Sequence, residues 1–304
     1  MTKTLYLGMF IIALLIVTIT PASAGFFDWW NKVTGRATSD TETLNVTVGN
    51  TAPVISFVTN ISTQSVTENG NTTIRLNMTV VDPDGNGLIN TSTAVMSLNR
   101  SGQATRSNET CLITGNSTAT SVNLTCIVSL KFFDGAGGWT INATIKDNSS
   151  SVAQNLTQNF SLSETTCIVL APKSLTWASI GLTDINALST NDPVVVNNTC
   201  NDNIDSGNVR VTAISLLGES TPSLSIRAAN FTVNIADACD TGTAMVNGTV
   251  TGVTSSILAA ANHSPNNGTT GQEQLYFCLE AVDSDLTQQS YSTASAQSWT
   301  ISVV

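Results

Sequence analysis

The chain has 304 residues, of which 41% are apolar and 11% are charged. It carries 21 acidic and 11 basic residues, and the resulting net charge of -10 argues against nucleic-acid binding because the few basic residues are scattered. The length and apolar content suit about two ordinary domains.

The first 24 residues have the pattern of a secretory signal peptide. Lys3 supplies a positive start, Leu5 to Thr20 is an apolar and hydroxyl run, and Ala22 and Ala24 match the small residues of a cleavage site. The run is shorter than the roughly twenty residues of a spanning helix. We therefore expect cleavage after Ala24 and export. If the segment were retained, it would attach the protein to a membrane.

Residues 25–50 form an aromatic N-terminal segment that ends in an extended strand. Phe26, Phe27, Trp29 and Trp30 would border the membrane beside a retained signal, dock on another surface, or form a free tail. Residues 43–48 alternate polar and apolar side chains. They predict either the first edge strand of the next domain or a donor strand that adds to a sheet of a neighbouring subunit.

Alternation with period two predicts half-buried β-strands in residues 51–162. Three runs, at residues 73–82, 121–130 and 138–147, place apolar side chains on one face, where they would form a sandwich core. A helix would need apolar residues three and four apart, which these runs lack. The predicted core positions are Ile74, Leu76, Met78, Val80, Val122, Leu124, Cys126, Val128, Trp139, Ile141, Ala143 and Ile145.

Short motifs frame the same region. They are Asn50-Thr51-Ala52-Pro53, then Asp82-Pro83-Asp84-Gly85-Asn86-Gly87, and finally Gly138-Trp139 leading to Lys146-Asp147-Asn148. With these motifs the region resembles the immunoglobulin-like modules, cadherin-like or PKD-like, that recur in prokaryotic surface proteins. The resemblance implies a seven-stranded sandwich rather than any particular activity.

The segment from Asp82 to Gly87 also matches the first half of a calcium loop, which places oxygen ligands at alternate positions. Asp82, Asp84 and Asn86 are the candidate ligands. The twelfth position is Thr93 rather than Glu, so the closing bidentate ligand is missing. A strand-ending turn explains the same residues. We expect no cofactor, with calcium of low affinity as the alternative.

Residues 163–304 predict a second set of strands with long loops between them. The candidate strands are residues 193–196, 208–217, 272–282 and 298–303. No clear repeat relates this half to the first. The predicted fold is all-β, with two tandem antiparallel β-sandwich domains, of which the first is immunoglobulin-like.

Six cysteines follow the signal segment, and an even number in an exported chain predicts disulfide bonds. Neighbour pairing is the simplest of several connectivities. Zinc is disfavoured, because no Cys-x-x-Cys is present and His263 is the single histidine. The neighbouring pairs are Cys111 with Cys126, Cys167 with Cys200, and Cys239 with Cys278.

Eighteen asparagines lie in Asn-X-Ser/Thr, the acceptor pattern for N-glycosylation, which exceeds random placement. In four of these triplets, beginning at Asn77, Asn123, Asn142 and Asn155, the middle residue is apolar. Period two should place that residue in the core and the Asn outside. The acceptors are Asn45, Asn60, Asn71, Asn77, Asn90, Asn99, Asn108, Asn116, Asn123, Asn142, Asn148, Asn155, Asn159, Asn197, Asn230, Asn247, Asn262 and Asn267.

These features predict a non-enzymatic secreted or cell-surface glycoprotein with a structural or adhesive role, and the dense acceptors favour an archaeal source. Its partners would be other surface proteins, copies of itself, or glycans. One alternative is a filament or pilus-like subunit that assembles by N-terminal donor-strand exchange. Another is a carbohydrate-binding module that uses Trp177, Trp299 or Tyr291. We predict no catalytic residues, and His263 is expected in a solvated loop.

Overall fold

The computed structural model of the chain describes residues 45–263, 271–295 and 297–304. The predicted signal peptide and the aromatic residues Phe26, Phe27, Trp29 and Trp30 lie outside the described residues. Residues 50–304 form one compact unit. Among the described residues, no helix is both long and apolar enough to cross a membrane.

Seven antiparallel strands form the first region, residues 54–162. Strands β1, β2, β5 and β4 pair in that order, as do β3, β6 and β7, and β4 joins β3 through two residue pairs. The strands are β1 (Val54–Val58), β2 (Asn71–Val81), β3 (Ile89–Asn99), β4 (Arg106–Ile113), β5 (Ser121–Lys131), β6 (Gly137–Asp147) and β7 (Val152–Leu162).

The core of the first region follows the predicted alternation. All twelve apolar positions predicted to face inward are buried, and none is more than 5% exposed. Trp139 lies at the centre with no exposed surface, and its indole Nε1 donates a hydrogen bond to the Gly135 carbonyl. Burial of this side chain is therefore achieved without leaving its polar atom unpaired.

In β7 the predicted alternation of buried and exposed residues fails at one position. Met78, Leu124 and Ala143 are buried between exposed or half-buried neighbours, as expected for the middle residue of an acceptor triplet. Leu156 is instead 52% exposed. The pairing of β6 with β7 shifts beside Asn155, so that a bulge interrupts the period-two pattern and turns Leu156 outward. The prediction that Leu156 enters the core was wrong.

Shorter strands form the second region. Its largest sheet has the order β15-β14-β17-β10-β8, with β9 also paired to β17, and two three-stranded sheets have the orders β16-β11-β19 and β13-β12-β18. The strands are β8 (Ile168–Ala171), β9 (Ile185–Leu188), β10 (Val194–Asn198), β11 (Val209–Thr212), β12 (Leu216–Gly218), β13 (Ser225–Ile226), β14 (Phe231–Asn234), β15 (Thr243–Ala244), β16 (Val250–Gly252), β17 (Gln272–Ala281), β18 (Tyr291–Ser292) and β19 (Thr300–Val303).

The predicted strands of the second region are present with one correction. The run at residues 208–217 is two strands, because the chain leaves β11 after Thr212 and enters a different sheet as β12. Phe231 and Phe277 are fully buried at the centre of this second core. The fold is all-β, as predicted.

The loop after β10 joins the two regions. Cys200 is buried within the first core, and the Thr199 hydroxyl lies 3.0 Å from a carboxylate oxygen of Glu68. Asn201 is also buried, and its amide donates to the carbonyls of Asp134 and Ser163. These contacts hold residues 50–304 together as one unit, so the predicted division into two domains stays a prediction.

Candidate functional site

The three disulfides join the neighbouring cysteines, as the simplest pairing predicted. Cys111–Cys126 links directly opposed residues of β4 and β5. Cys167–Cys200 ties the start of the second region to the loop that enters the first core. Cys239–Cys278 connects the segment after β14 to β17. Three such bonds indicate that the protein folds in an oxidising environment.

The glycosylation acceptors share one structural property, which is that none of the seventeen described acceptor asparagines is buried. Asn267 lies outside the described residues. Two other asparagines, Asn198 and Asn201, are buried, and neither is an acceptor, although Asn198 is the middle residue of the Asn197 triplet. The exposed acceptors are Asn45, Asn60, Asn71, Asn77, Asn116, Asn148, Asn159, Asn247 and Asn262, and the half-buried ones are Asn90, Asn99, Asn108, Asn123, Asn142, Asn155, Asn197 and Asn230.

An acceptor asparagine that is not buried can still have its side-chain amide nitrogen engaged in a hydrogen bond. Nδ2 is the atom that would carry a glycan, and in several acceptors it donates a hydrogen bond within the protein. Asn155 donates to the Ile55 carbonyl at 3.2 Å, and Asn123 donates to the Asn116 carbonyl at 3.1 Å. These acceptors would have to break a hydrogen bond before modification, a difference that the sequence pattern does not reveal.

The predicted calcium residues lie in the loop between β2 and β3. Asp82 is fully buried, one of its carboxylate oxygens accepts the Asp84 amide, and the other has no hydrogen-bond partner. The Asp84 carboxylate accepts the Thr51 amide at 2.6 Å, and the Asn86 side chain donates to the Thr118 carbonyl. Most of these polar atoms therefore fasten the loop to its neighbours.

A second carboxylate at the same end of the first region was missed by the sequence reasoning. Asp147 is buried, and its two oxygens accept the Asn50 side-chain amide and the Ser151 backbone amide. The hydrogen bond from Asn50 is the largest cause that lowers the pKa of Asp147, while burial opposes it. Asn50 and Asp147 both lie in the short sequence motifs that frame the first region. Their place in those motifs was the signal from which this contact could have been predicted.

Calcium at Asp82, Asp84 and Asn86 stays a prediction. Among residues 45–263, 271–295 and 297–304, no three or more His, Cys, Asp or Glu side chains group closely enough to hold a metal ion. Two carboxylates and an amide side chain would have to be completed by backbone carbonyls and water, which is typical of weak calcium sites.

A groove of about 1100 Å³, lined by both apolar and polar side chains, opens in the second region. Leu170 of β8, Leu216 of β12 and Ile301 of β19 line it from three different sheets. The segment at residues 172–182, which lacks regular structure, forms one wall. The sequence did not predict this groove, because its walls come from separate parts of the chain.

The three aromatic candidates for carbohydrate binding all line this groove. The ring centroids of Trp177 and Trp299 lie 6.5 Å apart, and Trp299 also packs on Phe231 at 5.1 Å. The indole nitrogens donate to the carbonyls of Ala187 and Ile214. Since both ring edges are held and the rings pack edge-on against one another, these tryptophans are chiefly the half-buried margin of the second core.

His263 differs from its predicted environment. Its ring lies 5.4 Å from that of Phe132, and its Nε2 atom is buried. The residue is half-buried rather than solvated, because Phe132 at the end of β5 covers it. It therefore contributes to packing between the two regions.

Comparison with known protein families and with characterised proteins finds no match to this chain.

Proposed function

We propose that the protein is an exported, non-enzymatic surface glycoprotein with a structural or adhesive role. The observation that carries the proposal is that none of the seventeen described acceptor asparagines is buried, whereas the buried Asn198 and Asn201 are not acceptors. An acceptor must reach solvent to be modified, so this distribution is the one expected of a coated surface. The three disulfides support export.

The first region supports the proposed kinship with immunoglobulin-like surface modules. Its pairing of β1, β2, β5 and β4 on one side and β3, β6 and β7 on the other follows the strand order of constant-type immunoglobulin sandwiches. Thirteen of the eighteen acceptors lie between Asn45 and Asn159. Dense N-linked coats on such modules fit an archaeal cell surface. Weak calcium binding at Asp82 belongs to the same proposal.

Intact-mass measurement of the native secreted protein, before and after chemical deglycosylation, tests the proposal. We expect a ladder of glycan masses that collapses to the mass of the polypeptide. A native mass equal to that of the bare polypeptide would overturn the glycoprotein assignment.

Two acceptors of β7 give a matched pair of variants. Asn159 is exposed, whereas Asn155 donates its Nδ2 hydrogen to the Ile55 carbonyl. We expect Asn159→Gln to remove one glycan and Asn155→Gln to leave the mass ladder unchanged. Equal losses would show that the hydrogen bond of Asn155 does not protect it.

A further inference from the structure

The margin of the second core is left half-covered. Thirteen apolar residues packed against that core are only partly buried, compared with three around the first core, in the part of the chain that the structure describes. Several of the thirteen line the 1100 Å³ groove, among them Leu170, Trp177, Trp299 and Ile301. A further apolar element laid along the groove would complete this core.

The groove is bordered by strands that have room for another strand. β8 pairs with β10, and β19 pairs with β11, and neither forms a second ladder among the described residues. Each contributes an inward apolar residue to the groove, Leu170 and Ile301 respectively. An edge strand with unpaired backbone groups binds another extended segment through main-chain hydrogen bonds.

Residues 43–48 supply a segment of matching chemistry. Leu44, Val46 and Val48 alternate with polar residues, so one face of an extended chain would be apolar. Val46 is 76% exposed and Val48 is 85% exposed, and residues 45–50 have no regular secondary structure. Six extended residues span about 20 Å, which is enough to cover four-residue strands such as β8 and β19.

Charge favours the same pairing. Among the described residues that line the groove, Lys173 is the only one with a charged side chain. Asp40 and Glu42 directly precede the apolar alternation at residues 43–48. A segment laid in the groove would bring this acidic pair towards a basic side chain at the rim, which steers association.

Within the compact unit of residues 50–304, Asn50 and the second region lie at opposite ends of β7. Asn50 contacts Asp147 and Ser151 beside the start of β7, whereas the second region follows the end of β7, where Asn201 contacts Ser163. The eleven residues of β7 span about 36 Å. Val48 precedes Asn50 by two residues, which cover about 7 Å. The anchor of the segment at Asn50 is therefore separated from the second region by the length of β7.

We propose that residues 43–48 of one copy lie in the groove between β8 and β19 of a second copy, joining the molecules head to tail. This inference rests on the exported surface role proposed above. Leu44, Val46 and Val48 face Trp177, Trp299 and Ile301, while the Asn45 acceptor faces solvent on the other side of the strand. Because the two surfaces differ, each copy binds two neighbours, and the assembly grows head to tail into a filament or, where the rotation between copies closes, a ring.

Light scattering and electron microscopy of the secreted chain, residues 25–304, test association. We expect oligomers whose mass rises with concentration. Val46→Asp places a charge on the apolar face and should weaken association by about tenfold or more. Thr43→Asp, on the opposite face, is the matched control and should assemble like the parent. Thr43→Asp leaves the Asn45 triplet unchanged, and Val46→Asp alters only its middle residue, so both variants keep the Asn-X-Thr pattern.

Cross-linking identifies the groove as the partner surface. A chain with Val46→Cys, mixed with a chain carrying Ile301→Cys, should form a disulfide-linked pair under mild oxidation. Leu156→Cys, on the exposed part of β7, is the control and should not cross-link to Val46→Cys. Preferential linkage to Leu156→Cys, or no linkage to Ile301→Cys, would overturn the inference.

The remaining outcomes separate this inference from the proposed function. Monomers at every concentration that carry a glycan ladder would overturn the inference and leave the proposed function standing. Filaments built from chains whose mass equals that of the bare polypeptide would support the inference and overturn the glycoprotein assignment. Monomers that bind an oligosaccharide, with binding lost in Trp299→Ala, would assign the groove to a sugar and overturn the strand insertion.

Discussion

The two regions of the molecule differ in how completely their cores are covered. Five of the seven strands of the first region have eleven residues, whereas those of the second have two to five apart from β17. Long ladders let every second side chain enter the first core, which holds 24 buried apolar residues against 15 in the second in the described part of the chain. The region with the longer strands therefore has the more completely buried core, and the region with the shorter strands contains the groove.

Replacing one tryptophan in each region tests this difference most strongly. Trp139→Ala should lower the free energy of unfolding by about 4 kcal/mol, because it removes a fully buried side chain and leaves a cavity. Trp299→Ala should cost about 2 kcal/mol, since part of that ring is already solvated. Urea unfolding followed by circular dichroism measures both. Equal losses would contradict the difference in coverage between the cores.

Removal of the disulfide at the junction tests how far the two regions depend on each other. Cys167 and Cys200 are 33 residues apart in sequence, and breaking this link should destabilise the protein by about 3–4 kcal/mol. Because Cys200 also packs in the first core, we expect the Cys167→Ala/Cys200→Ala variant to unfold in two calorimetric transitions. The control is Cys111→Ala/Cys126→Ala, whose link stays within one strand pair.

A single transition in the junction variant would show that the remaining contacts suffice to couple the regions. Those contacts include Thr199 with Glu68 and Asn201 with Asp134. In that case the two-domain division predicted from the sequence would be wrong. Two transitions would support it.

Local alternation accounts for the part of the fold that the sequence predicted. It identified the buried face of β2, β5 and β6, because the side-chain direction in a regular strand depends only on position. It failed at Leu156, because the bulge in β7 arises from its register with β6, which lies elsewhere in the chain. It also merged β11 with β12, since the change of sheet occurs within one apolar run.

The candidate sites were less predictable for the same reason. The groove combines Leu170, Trp177, Leu216, Tyr291 and Ile301, which are separated by long stretches of sequence. The three aromatic residues were singled out from composition, but the sheet edges beside them were not. By contrast, the disulfide pairing was recoverable, because each cysteine bonds to its neighbour in sequence.

Calcium binding in the first region should have a smaller effect on stability. If the Asp82 loop binds calcium, a concentration ten times the Kd should raise the free energy of unfolding by about 1.4 kcal/mol. Asp82→Asn should abolish this gain, because it removes the charge of the buried oxygen that lacks a partner. Magnesium at equal concentration is the control. A melting temperature that does not change with calcium concentration would show that the loop does not bind calcium.

The smallest expected effect concerns Asn50 and Asp147, which close the free end of the first region. The hydrogen bond from Asn50 holds the pKa of the Asp147 carboxyl below its ordinary value. The ionised carboxylate therefore contributes its full stabilisation above the unfolded pKa of about 3.9. This stabilisation is lost as the pH falls through the lower pKa of the folded state. Asn50→Ala should raise the pKa of Asp147. The difference in melting temperature between parent and variant should therefore be larger at neutral pH than in acid.

Titration of the Asp147 carboxyl carbon by NMR in both proteins measures that pKa directly. An unchanged value in Asn50→Ala would assign the lowered pKa to the hydrogen bonds from Ser151 and Ser149, the other donors to this carboxylate. The end of the first region would then be closed by the turn between β6 and β7 alone. Residues 45–50 would in that case leave the domain without an anchor at Asn50, and the donor segment would have greater freedom to reach a second copy.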